Sequence, residues 1–214
     1  MLGVFAKYWD VGKVKTRLSA KTSPEFAAAA HQLFLQTTLS RFQGSADEDH
    51  LVFAPADAAT RFEQSGLCDD WTLTAQTDGD LGRRMTSFID RSLADNANKV
   101  VLIGADSPNL PLSHVSAAFE WLDTHPVVLS PTEDGGYCLI GVNQSIPSIF
   151  VDMPWSTDRV YEITLERLEA AGMTPAKLPP WYDVDEFNDL QRLLGDVSND
   201  PEYANLVQSL REHP

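Results

Sequence analysis

The chain has 214 residues, of which 43% are hydrophobic and 22% are charged, values that are ordinary for a globular protein. Its formal net charge of −15 argues against a nucleic-acid partner, because such binding depends on Lys and Arg side chains that neutralise phosphates. No stretch approaches the roughly 20 apolar residues that span a membrane, and the N-terminus lacks the layout of a signal peptide. We therefore expect a cytoplasmic protein that forms one domain over residues 1–214 and has no membrane partner.

Short apolar runs alternate along the chain with longer amphipathic segments. The short runs predict strands at 2–6, 50–54, 71–76, 99–104, 127–130 and 137–142, with a further short run near 176–178. The amphipathic segments predict helices at 24–42, 81–93, 113–123, 156–171, 185–194 and 201–211, with Ser23 and Ser156 as N-caps. This alternation predicts an α/β fold with a largely parallel sheet and helices on both faces.

The two cysteines, Cys68 and Cys138, lie far apart and belong to no CxxC or Cys/His pattern. Isolated cysteines in such a chain behave as small, buried hydrophobic residues. We therefore expect two reduced thiols, partly buried and without a role in metal binding.

The first candidate site is the segment FAKYWDVGKVKTRL, residues 5–18, which follows the first predicted strand. Ligands in parallel sheets bind beyond the carboxyl ends of the strands, and backbone amides together with Lys and Arg side chains can hold a pyrophosphate. The segment is neither a Walker loop nor a GxGxxG turn, and a solvated charged face is the alternative interpretation. The candidate phosphate-binding residues are Lys7, Gly12, Lys13, Lys15 and Arg17.

The second candidate site is GADSPNLP, residues 104–111, which follows the most apolar of the predicted strands. Its Asp106 lies where a carboxylate would enter a ligand crevice and could hold a hard divalent cation, Mg²⁺ or Mn²⁺, beside a diphosphate. The alternative is that Asp106 only caps the next helix through Ser107 and Pro108.

The third candidate site is SPTEDGGYCLIG, residues 130–141, which joins two predicted strands. Glu133 and Asp134 are candidates for a catalytic base or for holding sugar hydroxyls. Gly135 and Gly136 would let the backbone approach a ligand closely. The same Asp-Gly pair is also a strong signal for a hairpin turn, and both interpretations can hold together.

Two further segments lie near the C-terminus. In WYDVDEFNDL, residues 181–190, we expect Asp183 and Asp185 to point to opposite sides, so that only one faces a metal, with capping of the next helix as the alternative. In MPWSTDRV, residues 153–160, Trp155 and Asp158 are candidates for a sugar or acceptor pocket. A packing role for Trp155 is equally compatible with the sequence.

Taken together, these segments resemble the DUF2064 group of bacterial proteins, which have the nucleotide-diphospho-sugar transferase (GT-A type) fold and include members described as glycosyltransferases. The resemblance is carried by FAKxxxxGKVKTRL, GDLGRRM, GADSPxLP, EDGGYxLIG, PWSTDRV and DVDxxxDL, in order over nearly the whole chain. It implies a three-layer α/β/α sandwich around a mixed, mostly parallel sheet.

The resemblance also implies roles for individual residues. Lys15 and Arg17 match its phosphate-binding loop, Asp106 matches the last acid of an Asp-x-Asp metal motif, and Asp185 matches the second metal ligand. The loop that borders the nucleotide is matched by Gly79, Asp80, Leu81 and Gly82. The chain departs from the pattern in three places: Gly104 replaces the first acid of Asp-x-Asp, Trp9 replaces a proline, and Glu186-Phe187 replaces Thr-Pro.

Three functions are compatible with these residues. The first is transfer of a sugar from a nucleotide-diphosphate sugar to a small acceptor, with Mg²⁺ or Mn²⁺ bound by Asp106 and Asp185. The second is nucleotidyl transfer from a nucleoside triphosphate, as in guanylyl- or cytidylyltransferases. The third is a nucleotide-binding protein without turnover. The sequence leaves open the oligomeric state, and the C-terminal amphipathic helix could pack on its own sheet or on a second copy.

Overall fold

The computed structural model describes residues 1–212, which contain one seven-stranded sheet. The strands are β1 (Leu2–Lys7), β2 (Asp49–Ala54), β3 (Thr72–Ala75), β4 (Val100–Gly104), β5 (Val127–Pro131), β6 (Tyr137–Val142) and β7 (Ala176–Lys177). Their order across the sheet is β3-β2-β1-β4-β6-β5-β7. Only β6 runs antiparallel to its neighbours β4 and β5, so the predicted mixed, mostly parallel sheet is confirmed.

The α-helices that the structure describes alternate with these strands. They are α1 (Thr16–Ser19), α2 (Pro24–Phe42), α3 (Ala59–Ser65), α4 (Leu81–Ala94), α5 (Leu112–Trp121), α6 (Val160–Ala170), α7 (Phe187–Val197) and α8 (Ala204–Glu212). Single 3₁₀ turns occur at Ala56–Ala58, Pro147–Ile149 and Pro201–Tyr203. Among residues 1–212, no helix combines the length and the apolar character needed to cross a bilayer.

The helices cover both faces of the sheet. Because side chains alternate along a strand, Val101 and Ile103 of β4 face one apolar cluster and Leu102 faces the other. The first cluster includes side chains of α2, α3 and α5, and the second includes side chains of α4 and α6. A third cluster joins the N-terminal half of α2 to α7 and α8. The three-layer α/β/α sandwich is therefore confirmed.

Local capping explains why some helix boundaries were predictable. The Ser23 hydroxyl accepts a hydrogen bond from the Phe26 N–H at 3.0 Å, and Pro24 occupies the first helical position, so α2 begins where the sequence predicts. Helix α7 begins with a capping box between Glu186 and Asp189. The helix predicted from 156 instead begins at Val160, because Ser156 has a φ of 66° and cannot act as its N-cap.

Cys68 and Cys138 are both free and buried, as the sequence predicts. Burial raises the pKa of Cys138 to about 12 and also raises that of Cys68, so both thiols stay protonated at pH 8. We expect neither to react with a thiol-specific disulfide reagent at pH 8 in the folded protein, and both to react in urea, as measured by absorbance. Stoichiometric labelling of the native protein within minutes would contradict this placement.

Candidate functional site

The candidate residues from three distant parts of the chain meet at one edge of the sheet. Strands β1 and β4 are parallel neighbours, so the loops that follow them start side by side. The first loop leads to Lys15 and the second carries Asp106. The DVD segment, residues 183–185, is fastened to the second loop because the Val184 N–H donates to the Asp106 carbonyl oxygen at 2.8 Å. This bond brings Asp185 to the same edge.

The Lys15 ammonium lies between the carboxylates of Asp106 and Asp185. Its Nζ donates a hydrogen bond to Oδ1 of Asp185 at 2.8 Å and forms an ion pair with Oδ1 of Asp106. The Lys15 side chain is only 3% exposed. Burial alone would lower the pKa of Lys15, but the two carboxylates outweigh it and raise that pKa above its usual value. Lys15 is therefore a fixed positive charge at the centre of the site.

The backbone of Lys15 directs this side chain into the site. The residue has φ 45° and ψ 44°, the left-handed region that residues other than glycine rarely adopt. Such a conformation costs about 1–3 kcal/mol and persists where the surrounding contacts enforce it, often at functional sites. Here the buried ion pairs supply those contacts, and helix α1 begins with the next residue.

His31 on α2 lies on the inner side of Asp106. Its Nε2 is 3.0 Å from the Lys7 carbonyl oxygen, which can only accept, so Nε2 carries the proton and Nδ1 is left as an acceptor. Nδ1 is 3.8 Å from Oδ1 of Asp106, is buried, and has no hydrogen-bond partner. Burial lowers the pKa of His31. Burial also opposes ionisation of Asp106, but the Lys15 ammonium outweighs it and lowers the pKa of that carboxyl.

Asp183 belongs to the same site, which corrects the expectation that it points away from Asp185. Residues two apart in an extended segment share one face, and both aspartates line a cavity of about 220 Å³. The Ser107 hydroxyl donates to Oδ1 of Asp183 at 2.5 Å. Burial, reinforced by the charge of Asp106, raises the pKa of Asp183 to about 7.

The cavity also brings together residues of the first and third motifs. Arg17 lines it from the basic loop, and Glu133 and Asp134 line it from the turn between β5 and β6. Its remaining lining residues are Tyr182, Glu186 and Asp189. The cavity is therefore strongly acidic, with the Arg17 guanidinium as a cation in its wall.

The two candidate bases, Glu133 and Asp134, are both engaged by neighbouring groups. Arg192 donates to both carboxylate oxygens of Glu133, at 2.7 and 2.9 Å, and these bonds lower the pKa of Glu133. Asp134 accepts from the Thr132 hydroxyl at 2.5 Å and from the Gly136 N–H at 3.2 Å. Asp134 thus stabilises the turn that the Asp-Gly pair predicts.

Gly135 joins this turn to the segment that contains Trp155 and Asp158. Its φ is 88°, and a Cβ atom there would overlap the carbonyl oxygen of Asp158. The Tyr161 N–H, in the first turn of α6, donates to the Gly135 carbonyl oxygen at 2.8 Å. The Gly135 backbone therefore lies close to the Asp158 backbone rather than to a ligand. Asp158 itself is exposed.

The GDLG loop packs on the same segment from the other side. A Cβ on Gly82 would lie 2.8 Å from the Phe150 carbonyl oxygen and 3.0 Å from Cζ2 of Trp155. Asp80 caps α4 by accepting from the Arg83 N–H at 2.8 Å, Gly79 has a φ of 117°, and Leu81 is 43% exposed. The indole Nε1 of Trp155 is buried without a partner. The EDGG and GDLG segments therefore both pack against the PWSTDRV segment.

Three of the candidate phosphate-binding residues lie outside the buried cluster. Lys7 is exposed at the end of β1. The Lys13 side chain is 76% exposed and 3.5 Å from Asp10. Gly12 has a φ of 75°, and a Cβ there would touch nothing within 4 Å. The structure thus separates the exposed cations Lys7 and Lys13 from the buried cation Lys15.

Sequence reasoning missed His31, Ser107 and Arg192. Their partners are distant in sequence, since Ser107 bonds a residue 76 positions away and Arg192 one 59 positions away. His31 lies in α2, a helix whose buried side chains belong to two apolar clusters, and nothing in the local pattern distinguishes it from a core residue.

A family model described as an uncharacterized protein conserved in bacteria, DUF2064, matches residues 38–157. This is more than half of the chain. The chain belongs to the DUF2064 family. Among the curated proteins, none matches it. The matched stretch contains Asp106, Glu133 and Trp155, whereas Lys15 and Asp185 lie on either side of it.

Three solved structures illustrate what this DUF2064 protein is similar to: the first in sequence and fold, and the other two in fold alone. A protein from Desulfovibrio desulfuricans G20, provisionally assigned as a nucleotide-diphospho-sugar transferase, is 31% identical with a TM-score of 0.90, covering 99% of this chain and 93% of its own. CMP:2-keto-3-deoxy-manno-octonic acid synthetase with CTP is 11% identical with a TM-score of 0.60, covering 94% and 98%. A manganese complex of Rv0371C from Mycobacterium tuberculosis H37Rv is 15% identical with a TM-score of 0.55, covering 92% and 98%.

The donor atoms around the Lys15 ammonium are of the types that bind divalent cations. Asp106 and Asp185 provide carboxylate oxygens, the ligands that Mg²⁺ and Mn²⁺ prefer, and the orphaned Nδ1 of His31 faces the same place. The remaining His31 nitrogen donates to a backbone carbonyl, as metal-binding histidines usually do. Within residues 1–212, however, no group of three such side chains is already arranged around a metal-sized centre. The Lys15 ammonium occupies the position between the two carboxylates.

Proposed function

We propose that this protein is a glycosyltransferase that moves a sugar from a nucleotide-diphosphate sugar to a small acceptor and binds Mg²⁺ or Mn²⁺. The observation that carries the proposal is the meeting of Lys15, Arg17, Asp106 and Asp185 at the carboxyl edge of the sheet. Cations beside carboxylates at such an edge suit a diphosphate and its counter-ion. The similarity to the Desulfovibrio protein supports the same reaction class.

The basic and the acidic side chains of the site would have separate roles. Lys15 and Arg17 would neutralise the leaving diphosphate, and Asp106 with Asp185 would hold the divalent cation. When bound, that cation supplies further positive charge for the phosphate oxygens. The exposed cations Lys7 and Lys13 would attract the anionic donor toward the site.

The surface formed by the EDGG, PWSTDRV and GDLG segments would hold the sugar and the acceptor. Arg192 keeps Glu133 ionised, so Glu133 suits hydrogen bonding to sugar hydroxyls better than proton abstraction. The Trp155 ring, whose indole N–H is buried, lies against Gly82 and would form part of the wall beside the GDLG loop. Gly136 and Asp158 border the same surface, and Gly79, Asp80, Leu81 and Gly82 would border the nucleotide.

Nucleotidyl transfer is the second candidate, and one feature favours it. At Gly104 a Cβ would have only the Asp106 backbone nitrogen within 4 Å, which leaves open space beside the acid cluster where a third phosphate could lie. Lys15 and Arg17 would then stabilise the transferred α-phosphate. The similarity in fold to the CTP-bound synthetase is compatible with this reading.

A thermal-shift panel tests both candidates. UDP-, GDP-, ADP- and dTDP-sugars and the parent triphosphates are each added with and without Mn²⁺. A ligand that binds only the native state raises its stability by about 2.7 kcal/mol at a hundredfold excess over the dissociation constant. We expect a diphosphosugar to raise the melting temperature by several degrees, and only when Mn²⁺ is present.

The outcomes of this panel separate the candidates. A larger shift with a triphosphate would replace glycosyl transfer by nucleotidyl transfer. Binding without any metal increment and without consumption of the ligand would indicate a nucleotide-binding protein that lacks turnover. The absence of any shift would contradict nucleotide binding altogether.

A further inference from the structure

We propose that Lys15 is a built-in competitor of the divalent cation, so that the cation and a diphosphate bind the protein in a mutually dependent way. This inference rests on the proposed function, because it takes Asp106 and Asp185 as the residues that hold the cation. It adds a property of this chain's own Lys15: in the free protein the ammonium neutralises these acids, and a phosphate ligand draws it away.

The first step of the argument is that one place cannot hold both cations. The Lys15 Nζ contacts Oδ1 of Asp106 and Oδ1 of Asp185 together. A divalent cation bound by the same oxygens would lie against the ammonium in a partly buried place, since the Asp106 and Asp185 side chains are 44% and 40% exposed, and repulsion there is screened less than between fully exposed charges. Cation binding therefore requires the ammonium to leave.

The second step is that leaving is costly unless the ammonium gains a new partner. The Lys15 side chain is 3% exposed, so it cannot simply exchange its two carboxylates for water without a rearrangement of the loop. A buried charge that loses its partners is strongly destabilising. With the protein alone, a divalent cation must overcome that cost, and we expect its binding to be weak.

The third step is that a diphosphate provides the new partner. Arg17, two residues further on, already lines the adjoining cavity, so a phosphate held there would lie within the reach of a lysine side chain. The ammonium would then pair with phosphate oxygens while the cation takes the carboxylates. By thermodynamic linkage, the diphosphate must strengthen cation binding by the same factor as the cation strengthens diphosphate binding.

The test measures Mn²⁺ binding to the full chain from the electron paramagnetic resonance signal of free Mn²⁺. The proteins are the wild type, Lys15→Met and Lys21→Met, each alone and with inorganic pyrophosphate, with a correction for the Mn²⁺–pyrophosphate complex. Methionine keeps most of the length of the unbranched lysine side chain and removes its charge. Lys21 is an exposed cation in the same region, so Lys21→Met controls for the loss of one positive charge.

We expect Lys15→Met to bind Mn²⁺ alone at least tenfold more tightly than the wild type, and Lys21→Met to stay within twofold. Pyrophosphate should strengthen Mn²⁺ binding at least tenfold in the wild type and less than threefold in Lys15→Met. Circular dichroism checks the folding of each variant. If Lys15→Met is unfolded, Lys15→Gln, which keeps a polar end group, replaces it with the same expected direction.

Two results would overturn the inference. Equal Mn²⁺ affinities for the wild type and the folded Lys15 variant would show that the ammonium does not compete, and would leave the proposed function standing. Tight Mn²⁺ binding that survives Asp106→Asn in the Lys15→Met background would show that the cation binds elsewhere, and would remove both the inference and the metal site of the proposed function.

Discussion

Asp106→Asn is expected to abolish the Mn²⁺-dependent part of nucleotide binding while the protein remains folded. The amide is neutral and places a hydrogen-bond donor or a weaker acceptor where the carboxylate held its positive partner. Removing even an outer partner of a metal ligand costs roughly 10–100-fold in affinity, so the loss of the ligand itself should be at least as large. The fold should survive, because the backbone bond from the Val184 N–H to the Asp106 carbonyl does not involve the side chain.

The measurement is the thermal shift with nucleotide, with and without Mn²⁺, for Asp106→Asn and for Asp123→Asn. Asp123 is a matched control, since it also pairs with a lysine, at 2.6 Å from Lys99, but is 67% exposed and lies elsewhere. Lys15 keeps its bond to Asp185 in Asp106→Asn, so we expect a loss of only about 1–2 kcal/mol in the free energy of unfolding. A metal-dependent shift equal to that of the wild type would remove Asp106 from the site.

Gly135→Ala is expected to destabilise the protein by about 2–4 kcal/mol and to disturb the candidate sugar surface. Two costs add together. A residue with a side chain at a φ of 88° is strained, and the new methyl group would overlap the Asp158 carbonyl oxygen. Because the position of the new Cβ is fixed by its own backbone and the clashing oxygen belongs to the Asp158 backbone, neither can move without shifting the turn or the start of α6.

Gly66→Ala is the control that separates these costs. Gly66 also has a positive φ, 65°, but a Cβ there would meet nothing within 4 Å. Backbone strain should therefore be the only cost of Gly66→Ala, and it should lower the free energy of unfolding by about 1–2 kcal/mol. Urea unfolding of both variants measures the difference. Equal losses at the two positions would contradict the close approach of Gly135 to Asp158.

Most of the sheet could be predicted from the sequence, because buried strands here are short apolar runs bounded by turn residues. The strand at 137–142 and the helix at 24–42 were predicted with the bounds that the structure shows, the latter because Ser23 and Pro24 mark its start. The helix expected from 156 begins four residues later. Ser156 has a left-handed backbone and does not cap the helix, and the local sequence carries no signal for this conformation.

The candidate site was predictable residue by residue but not as an arrangement. The acids and cations could be found, since they follow strands or match family motifs. That Lys15 is buried between Asp106 and Asp185 could not, because the contact joins residues 170 positions apart. The expectation that Asp183 and Asp185 face apart was wrong, since an extended chain returns to the same face every second residue.

The backbone bond between Val184 and Asp106 has a consequence for how the protein is made. During synthesis the loop that carries Lys15 and the loop that carries Asp106 leave the ribosome well before the DVD segment, and Lys15 then has only one of its two carboxylate partners. The site is complete only after residues 183–185 have joined the edge of the sheet. A nascent or truncated chain that ends before this point would carry the family's matched stretch, residues 38–157, and yet lack the carboxylate of Asp185 that pairs with Lys15.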